Sequence, residues 1–423
     1  MIEEIQKRPF VRPLFLWIAG ILLQLIFPDC NLSVLLLFSS GTFLLLAFCF
    51  EANGNRCCYN YRWTWGFVFS CLLITSSMFV TAGVERQDNH VSPAVIQQFA
   101  MKEQSKLADS FDCLHLTDEE KSVLATITLG YRQAMNPEVK RNFSTAGVAH
   151  ILAVSGFHVA IVCGFLSIAL GFLPKNRAGR WTKYILVVVL LWSFVCVTGM
   201  AASTVRAGCM LSFYLTGKVL RRTTDSYNTL AAAAFCMLVY DPFYLFDIGF
   251  QLSYIAVFFI LYLQPSLRNF IYVRNPLLSI PWNWITITIA AQVGTALLCL
   301  FYFGRSSSVF LFTNLPLTFI ATMLIPMAFL WLMLPQWFPG LDWLQRGVEI
   351  LTQWMVKIVD AFSHIPGAMF IIQLDFVSLI VCYAILLSSL LYLRLHRPVW
   401  LLLSLSLLLI IMFAEVIKRY YVS

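Results

Sequence analysis

MNPEVKRNFSTAGVAHILAVSGFHVAIV, residues 135–162, carries the chain from a charged approach into a long apolar segment. Asn136-Pro137 opens a short helix, with Val139 and Phe143 at the positions it would bury, because proline suits a first helical turn. From Ala146 to Leu173 the run is long enough to cross ~30 Å of hydrocarbon as one helix. Inside it stand His150, Ser155, Gly156 and His158. A polar group in hydrocarbon costs free energy unless something satisfies it, so polar residues at such depth are functional candidates.

The rest of the chain has the same character. Of 423 residues, 60% are hydrophobic and 12% are charged, and the mean hydropathy is +0.78. Soluble domains carry about 25% charged residues, which excludes an ordinary water-soluble globule. Apolar runs of about 20 residues recur, each sufficient for a membrane-crossing helix. A transmembrane barrel would instead show short alternating segments. The sequence therefore predicts an all-α polytopic membrane protein, with about ten to twelve transmembrane helices plus interfacial helices. The net charge of +8, from 29 Lys+Arg against 21 Asp+Glu, is spread over short loops. The positive-inside bias of cytoplasmic loops is the simpler account, with a dedicated anionic ligand the other. The 12 cysteines show no metal-ligand spacing. Cys57 and Cys58 are adjacent, and Cys163, Cys196, Cys209, Cys236, Cys299 and Cys382 stand singly in apolar segments, where cysteine acts as a small hydrophobe. No cofactor and no metal are expected.

Spans at 14–27 and 32–50 form a tight hairpin around Pro28-Asp29-Cys30-Asn31. Lys7, Arg8 and Arg12 before it, and Arg56 and Arg62 after it, place the N-terminus and the 51–63 loop in the cytoplasm. The N-terminus offers no small-residue cleavage site, so the first helix is expected to be retained. A third span opens at Trp63 and Trp65 and completes a three-span region, residues 1–82. Residues 83–144 are the one sizeable polar stretch and are expected to be interfacial helices on the extracytoplasmic face. About 60 residues are few for an independent core. Thr117-Asp118-Glu119-Glu120 is a capping-box start, followed by an apolar stripe of Val123, Leu124, Ile127 and Leu129. Downstream, basic loops at Lys175–Lys183, Lys218–Arg222 and Arg268–Arg274 alternate with uncharged ones. In residues 336–423, the amphipathic 341–362 segment is expected to lie at the membrane interface, followed by spans at 371–393 and 398–417. Basic clusters follow both spans (Arg394, His396, Arg397, then Lys418-Arg419), which leaves their direction open.

On a straight helix, His150 and His158 would be ~12 Å apart along the axis and rotated by about 80°. They could not then share a metal, since helical metal pairs use i and i+4. Gly156 can break the helix and bring them closer. A metal or catalytic site therefore stays open beside two other readings, a polar lining of a hydrated path and a purely structural role. Arg206 lies within an apolar segment and needs a carboxylate, water or a phosphate. Asp247 and Gln251, at i and i+4, would share one helix face. An Arg206–Asp247 ion pair and an Arg206 turned toward an anionic polymer both fit. Gln292 and Asn314 add polar groups to later spans, and Asn314-Leu315-Pro316 predicts a broken helix, tolerated where it lines a cavity or is buried in protein.

Five segments occur in order over residues 117–335: TDEEKSVLATITLG, the 135–162 stretch, STVRAGCM, DPFYLFDIGFQLSYIAVFFI and AAQVGTALLCLFYFGRSSSVFLFTNLPL. Together they resemble the ComEC-type competence family, with AHILAVSGFHVA the most specific of them. The resemblance implies a bacterial inner-membrane channel component, multi-pass with a cytoplasmic N-terminus, for uptake of single-stranded DNA in natural transformation. It marks residues 145–335 as the competence-type transmembrane channel domain. It carries over His150, Ser155, Gly156, His158, Arg206, Asp247, Gly249, Gln251 and Asn314; Gln292 joins them as a further polar membrane position. The implied partners are single-stranded DNA, the lipid bilayer and other DNA-uptake proteins, namely a DNA receptor and a cytoplasmic translocase or separate nuclease, with a homo-oligomer also open.

Two departures from the family pattern are read in the sequence. The extracytoplasmic OB-like module is missing or reduced to 83–115. No metallo-β-lactamase-like domain follows Ser423, and no HxHxDH-type signature occurs. No enzymatic activity is therefore expected of this chain. The alternatives are an intramembrane hydrolase or metal-dependent enzyme built on His150, Ser155 and His158, and a small-solute transporter.

Overall fold

The computed structural model describes residues 8–28, 39–45, 62–87, 95–131, 135–221, 225–271, 273–335 and 337–422. It is 82% helical, which bears out the all-α expectation. In chain order the helices are α1 (Val11–Ile26), α2 (Arg62–Gln87), α3 (Val95–Asp109), α4 (Asp118–Leu129) and α5 (Pro137–Thr145). Next come α6 (Ala149–Leu152), α7 (Gly156–Ala169), α8 (Arg177–Val197), α9 (Ala202–Val219) and α10 (Ser226–Tyr240). The C-terminal half holds α11 (Ile248–Phe270), α12 (Pro276–Phe303), α13 (Phe310–Met333), α14 (Leu341–Ser363), α15 (Phe376–Leu395) and α16 (Pro398–Val422). Two short strands, β1 (Arg305–Ser307) and β2 (Met369–Ile371), pair antiparallel.

Six helices are long and apolar enough to cross a membrane: α2 from Thr64, α8, α11, α12 from Leu278, α13 and α15. The expected ten to twelve spans are not reached by that count among the described residues. Four further apolar helices are shorter, Val11–Ile26, Gly156–Phe172, Ser226–Tyr240 and Pro398–Phe413. All of the 32–50 span except 39–45, its turn at 29–31, the 51–61 loop with Cys57-Cys58, Lys7 and Arg222 lie outside the described residues.

The chain forms two compact units. The first comprises Met1–Pro137, His150–Tyr254 and Phe319–Val356; the second comprises Glu138–Ala149, Ile255–Thr318 and Lys357–Ser423. In the first unit, α1 packs along α2 and against α10. Trp17 and Ile21 are buried with Ala234, Met237, Leu238 and Phe250. The Trp17 indole N–H donates to the Leu238 carbonyl at 3.1 Å, so the ring is both buried and satisfied. The Arg8 Nε–Asp225 Oδ2 contact of 2.7 Å puts the basic N-terminal segment and the loop after Arg221 on one face, as the alternation of basic loops requires.

Asp225 also caps α10, accepting from the amides of Tyr227 and Asn228 at 2.8 and 3.3 Å. Burial works against its charge, but the hydrogen bond from Arg8 and these two amides outweigh it and hold the carboxyl below its ordinary value. A depressed folded-state pKa contributes stability above the unfolded value of about 3.9 that is lost as pH falls through the folded one. An Asp225→Asn protein should therefore lose less stability than the parent between about pH 5 and pH 3. Unfolding midpoints across that range, with identical slopes as the contrary result, check this.

The capping box at the head of α4 forms as expected. Thr117 Oγ1 accepts from the Glu120 amide at 3.3 Å, and Glu120 Oε2 accepts from the Thr117 amide at 2.9 Å. The body of α4 departs from the expectation of an interfacial helix with one apolar stripe. Every residue from Ser122 to Leu129 is buried, with Val123, Leu124, Ile127 and Leu129 fully enclosed. The polar members are satisfied along the helix: Thr126 donates to Ser122 O and Thr128 to Leu124 O. Thr117→Ala should cost about 1 kcal/mol and speed amide exchange in the first turn of 118–129. Unchanged exchange there would show that burial alone holds the helix end.

In the second unit, α15 and α16 form a hairpin, with His396 in the left-handed region (φ 50°) at its turn. Arg394 lies over the Tyr262 ring of α11, 5.9 Å from its centroid. Tyr262 lies mid-helix, six residues before Arg268, so the last turn of α15 packs beside the middle of α11. Asn314-Leu315-Pro316 does not break its helix, because α13 runs continuously from Phe310 to Met333. Asn314 is instead held from both sides, donating to Thr288 Oγ1 at 3.0 Å and accepting from Thr318 Oγ1 at 3.4 Å.

Candidate functional site

The apolar run expected to form one helix from 146 to 173 is interrupted. Helix α6 ends at Leu152, residues 153–155 are non-helical, and α7 begins at Gly156. Ser155 is extended, with φ −109° and ψ 173°. Breaking a helix frees backbone polar groups that need new partners. Ser203, at the start of α9, supplies one by donating its hydroxyl to the Val154 carbonyl at 2.6 Å. His158 supplies another, since its Nδ1 accepts from the Ser155 amide at 3.2 Å and lies 2.9 Å from Ser155 Oγ. It thus does at the third helical position what glutamate or glutamine does in a capping box.

Accepting at Nδ1 puts the proton of the neutral ring on Nε2. His158 is fully buried, and among the described residues Nε2 makes no hydrogen bond, although the Ile151 carbonyl is close by. The break also brings His150, which is exposed, into electrostatic range of His158. Straight-helix geometry kept the two apart, and the interruption is the reason it does not apply. Among the described residues, no group of three or more His, Cys, Asp or Glu side chains is placed to hold a metal.

Gly156 and Ala207 mark where α7 and α9 touch, a Cβ on Gly156 lying in ordinary contact with Ala207 Cβ at 3.5 Å. Next to Ala207 is Arg206, 4% exposed. Its Nη1 donates to Asp247 Oδ2 at 3.2 Å, so the ion pair, one of two readings open in the sequence, is formed. Asp247 Oδ2 also accepts from the Phe250 amide at 2.7 Å. Asp247 therefore stands just ahead of α11 as its cap rather than sharing a helix face with Gln251, because Pro242–Phe246 is a separate 3₁₀ turn. Gln251 Nε2 donates to Leu245 O in that turn at 3.0 Å.

The guanidinium is only partly served. Its Nε is buried without a hydrogen-bond partner among the described residues. Tyr244 and Tyr254 stand within electrostatic range of it. Gly249 is the floor beneath it: a Cβ there would come 2.8 Å from Nη2. Gly249→Ala should push the guanidinium away from Asp247 and lower thermal stability by about 1–3 kcal/mol through overpacking. An unshifted melting transition would show that Arg206 has slack.

One buried polar residue of this region escaped the sequence reading. Gln104 of α3 is 8% exposed and donates to the Leu129 carbonyl at 2.6 Å. A Cβ on Gly130 would meet Gln104, Val154 and the Thr198 carbonyl at 3.2–3.3 Å, and one on Gly199 would meet Gln104 at 3.1 Å. The end of α4, the 153–155 break and the turn before α9 thus converge on Gln104. The glycines at 130 and 199, both at positive φ, were the available signal. In the first unit the structure gathers Ser155, Gly156 and His158 at the break and Arg206, Asp247, Gly249 and Gln251 at the ion pair. Gln292, half-buried on α12, and Asn314 belong to the second unit.

An all-helical membrane protein, with a helix broken in its apolar segment and an arginine buried beside it, is the class that this fold and site define. A family model described as Competence protein matches residues 127–415, and the chain belongs to that family. It is similar to ComE operon protein 3 of Bacillus subtilis (strain 168), with 30% identity over 201 residues, 47% of this chain and 24% of that protein. The match thus spans about a quarter of the relative's length. No solved structure matches.

Proposed function

We infer that this chain is an inner-membrane channel component that passes single-stranded DNA toward the cytoplasm during natural transformation. Membership of the competence family over 127–415 is the observation that carries this reading. The geometry supports it. A strand crossing the membrane needs hydrated polar surface and cations for its phosphates. The 153–155 break, with the buried Nε2 donor of His158 near the Ile151 carbonyl, and Arg206, whose Nε has no partner among the described residues, supply donors where apolar packing would be expected. The reading places the N-terminus in the cytoplasm and gives no hydrolytic step to this chain. A DNA receptor outside, a translocase inside and a separate nuclease would be its partners.

The test is uptake of labelled transforming DNA by a deletion strain carrying the chain or its His158→Ala form. Loss of cytoplasmic label on deletion, restored by the parent and reduced by about tenfold or more in the variant at equal membrane abundance, is the expected result. Undiminished transformation in the deletion strain would end the proposal.

A second reading, an intramembrane hydrolase, is favoured by one observation, the 2.9 Å contact between Ser155 Oγ and His158 Nδ1. A nucleophile and base within hydrogen-bond reach are the first requirement of such chemistry. The same contact caps α7, and the Ile151 carbonyl, not a carboxylate, is what stands close to the ring on its other side. Covalent labelling of Ser155 by a fluorophosphonate would establish the hydrolase; an unlabelled serine leaves the cap.

A further inference from the structure

The turn between α11 and α12 borders a half-open cavity of about 320 Å³ in the second unit, lined by Arg268, Asn269, Ser279, Trp282 and Asn283, with Ile271 and Val273 beside them. It is separate from the site described above. Three features give it a chemistry. The first is charge: from Ile248 to Leu341 the sequence contains no aspartate or glutamate, so nothing acidic in this stretch offsets Arg268. Arg394, over Tyr262 about two turns before Arg268 on α11, is a second cation in this unit.

The second feature is an unmet acceptor. Asn283 Oδ1 is buried, and among the described residues no donor reaches it. A buried carbonyl oxygen left so costs about 1–3 kcal/mol, and a hydroxyl-bearing ligand would relieve it once the amide turns its oxygen into the cavity. The third is the surroundings of the mouth. Phe270 is 85% exposed, Leu278 61%, Ile280 51% and Ile271 48%. Side chains of that size fit hydrocarbon rather than water or a polyanion. The indole of Trp282, which donates to the Arg268 carbonyl at 3.2 Å, has the amphipathic character of residues at headgroup level.

We propose that this cavity is a binding site for the headgroup of an anionic phospholipid, a phosphodiester bearing free hydroxyls. Arg268 and the side-chain amide of Asn269 receive the phosphate, Asn283 Oδ1 accepts from a headgroup hydroxyl, and the apolar rim receives the acyl chains. Basic pockets between helices at the headgroup level bind such lipids by this division of labour. Phosphatidylglycerol has the required chemistry. Phosphatidylcholine lacks the net charge and the hydroxyls.

The full chain, purified in mild detergent, would be offered dioleoyl phosphatidylglycerol, dioleoyl phosphatidylcholine or dioleoyl phosphatidic acid, and retained lipid counted by native mass spectrometry. Retention of phosphatidylglycerol at least about fivefold above phosphatidylcholine is expected, the effect of one cation near an anionic headgroup. Arg268→Gln should abolish that preference, and Asn283→Leu should reduce phosphatidylglycerol to the level of phosphatidic acid. Arg177→Gln, a basic change on another loop, should alter neither. Equal retention of the glycerol and choline lipids overturns the proposal. So does a loss shared by all three variants, or displacement of bound phosphatidylglycerol by a short single-stranded oligonucleotide, which would make the cavity a polynucleotide site. Arg268 is exposed, so its replacement leaves the fold intact and the result readable.

Discussion

Replacing Asp247 with alanine is expected to destabilise the folded protein by about 3 kcal/mol, the low end of the range for a buried pair stripped of one partner. The low end applies because only Arg206 is enclosed; the Asp247 side chain is 44% exposed. The loss has two parts. Arg206 would keep its charge at 4% exposure with Nη1 unserved as well as Nε. The Phe250 amide at the head of α11 would lose its cap. Asp247→Asn keeps an acceptor for that amide and should cost less. Arg206→Met combined with Asp247→Leu removes both charges and should recover most of the stability. Thermal unfolding of the four detergent-solubilised proteins, followed by tryptophan fluorescence, gives the ranking. A double variant no better than Asp247→Ala would mean that α11 depends on its cap and not on the pair.

The second large effect is expected at Gly147, the residue that ends α5 just before the broken helix. Its φ is +78°, and a Cβ there would stand 2.6 Å from Ser307 Cβ and 2.7 Å from Phe310 Cβ. Alanine must bear roughly 1–2 kcal/mol for the left-handed backbone and about 1–3 kcal/mol for the overlap. The neighbours have little room to give. Ser307 Oγ is already donated to the carbonyls of Thr145 and Ala368, at 2.9 and 3.1 Å. Gly147→Ala should therefore accumulate poorly in membranes or melt well below the parent. Gly164→Ala is the control: it sits within α7 with nothing within 4 Å of the added carbon. It should be neutral or stabilising by up to about 1 kcal/mol. Equal behaviour of the two would show that residues 145–148 can rearrange.

Much of the architecture could be read from the chain. The helical membrane class follows from hydropathy, and the capping box at Thr117 and Glu120 is a local pattern whose chemistry needs nothing remote. The ion pair was legible as a need, because arginine in an apolar segment demands a partner and Asp247, with Asp225 and Asp241, was one of three carboxylates in the next segments. The break at 153–155 was harder to read. Ala153-Val154-Ser155 contains no proline, and its residues are compatible with a helix. The interruption is sustained by groups from elsewhere, Ser203 on the Val154 carbonyl and the turn at Thr198–Gly199 around Gln104. Asn314-Leu315-Pro316 shows the converse. The local signal for a break is strong, yet Thr288 and Thr318 engage the asparagine and the helix continues.

By itself the sequence determined that this protein belongs in a membrane, which segments are helical, where the basic loops alternate and which polar residues required an explanation. These follow from composition, periodicity and the cost of polar groups in hydrocarbon, all properties of the chain near each residue. The tertiary structure alone decided that His158 turns its Nδ1 back onto Ser155, that Arg206 lies against Gly249 and Asp247, and that α4 is enclosed on every side from Ser122 to Leu129. The Ser155–His158 contact is local but needs the break that Ser203 sustains, and the other two depend on residues far apart in sequence, whose distances no local pattern encodes.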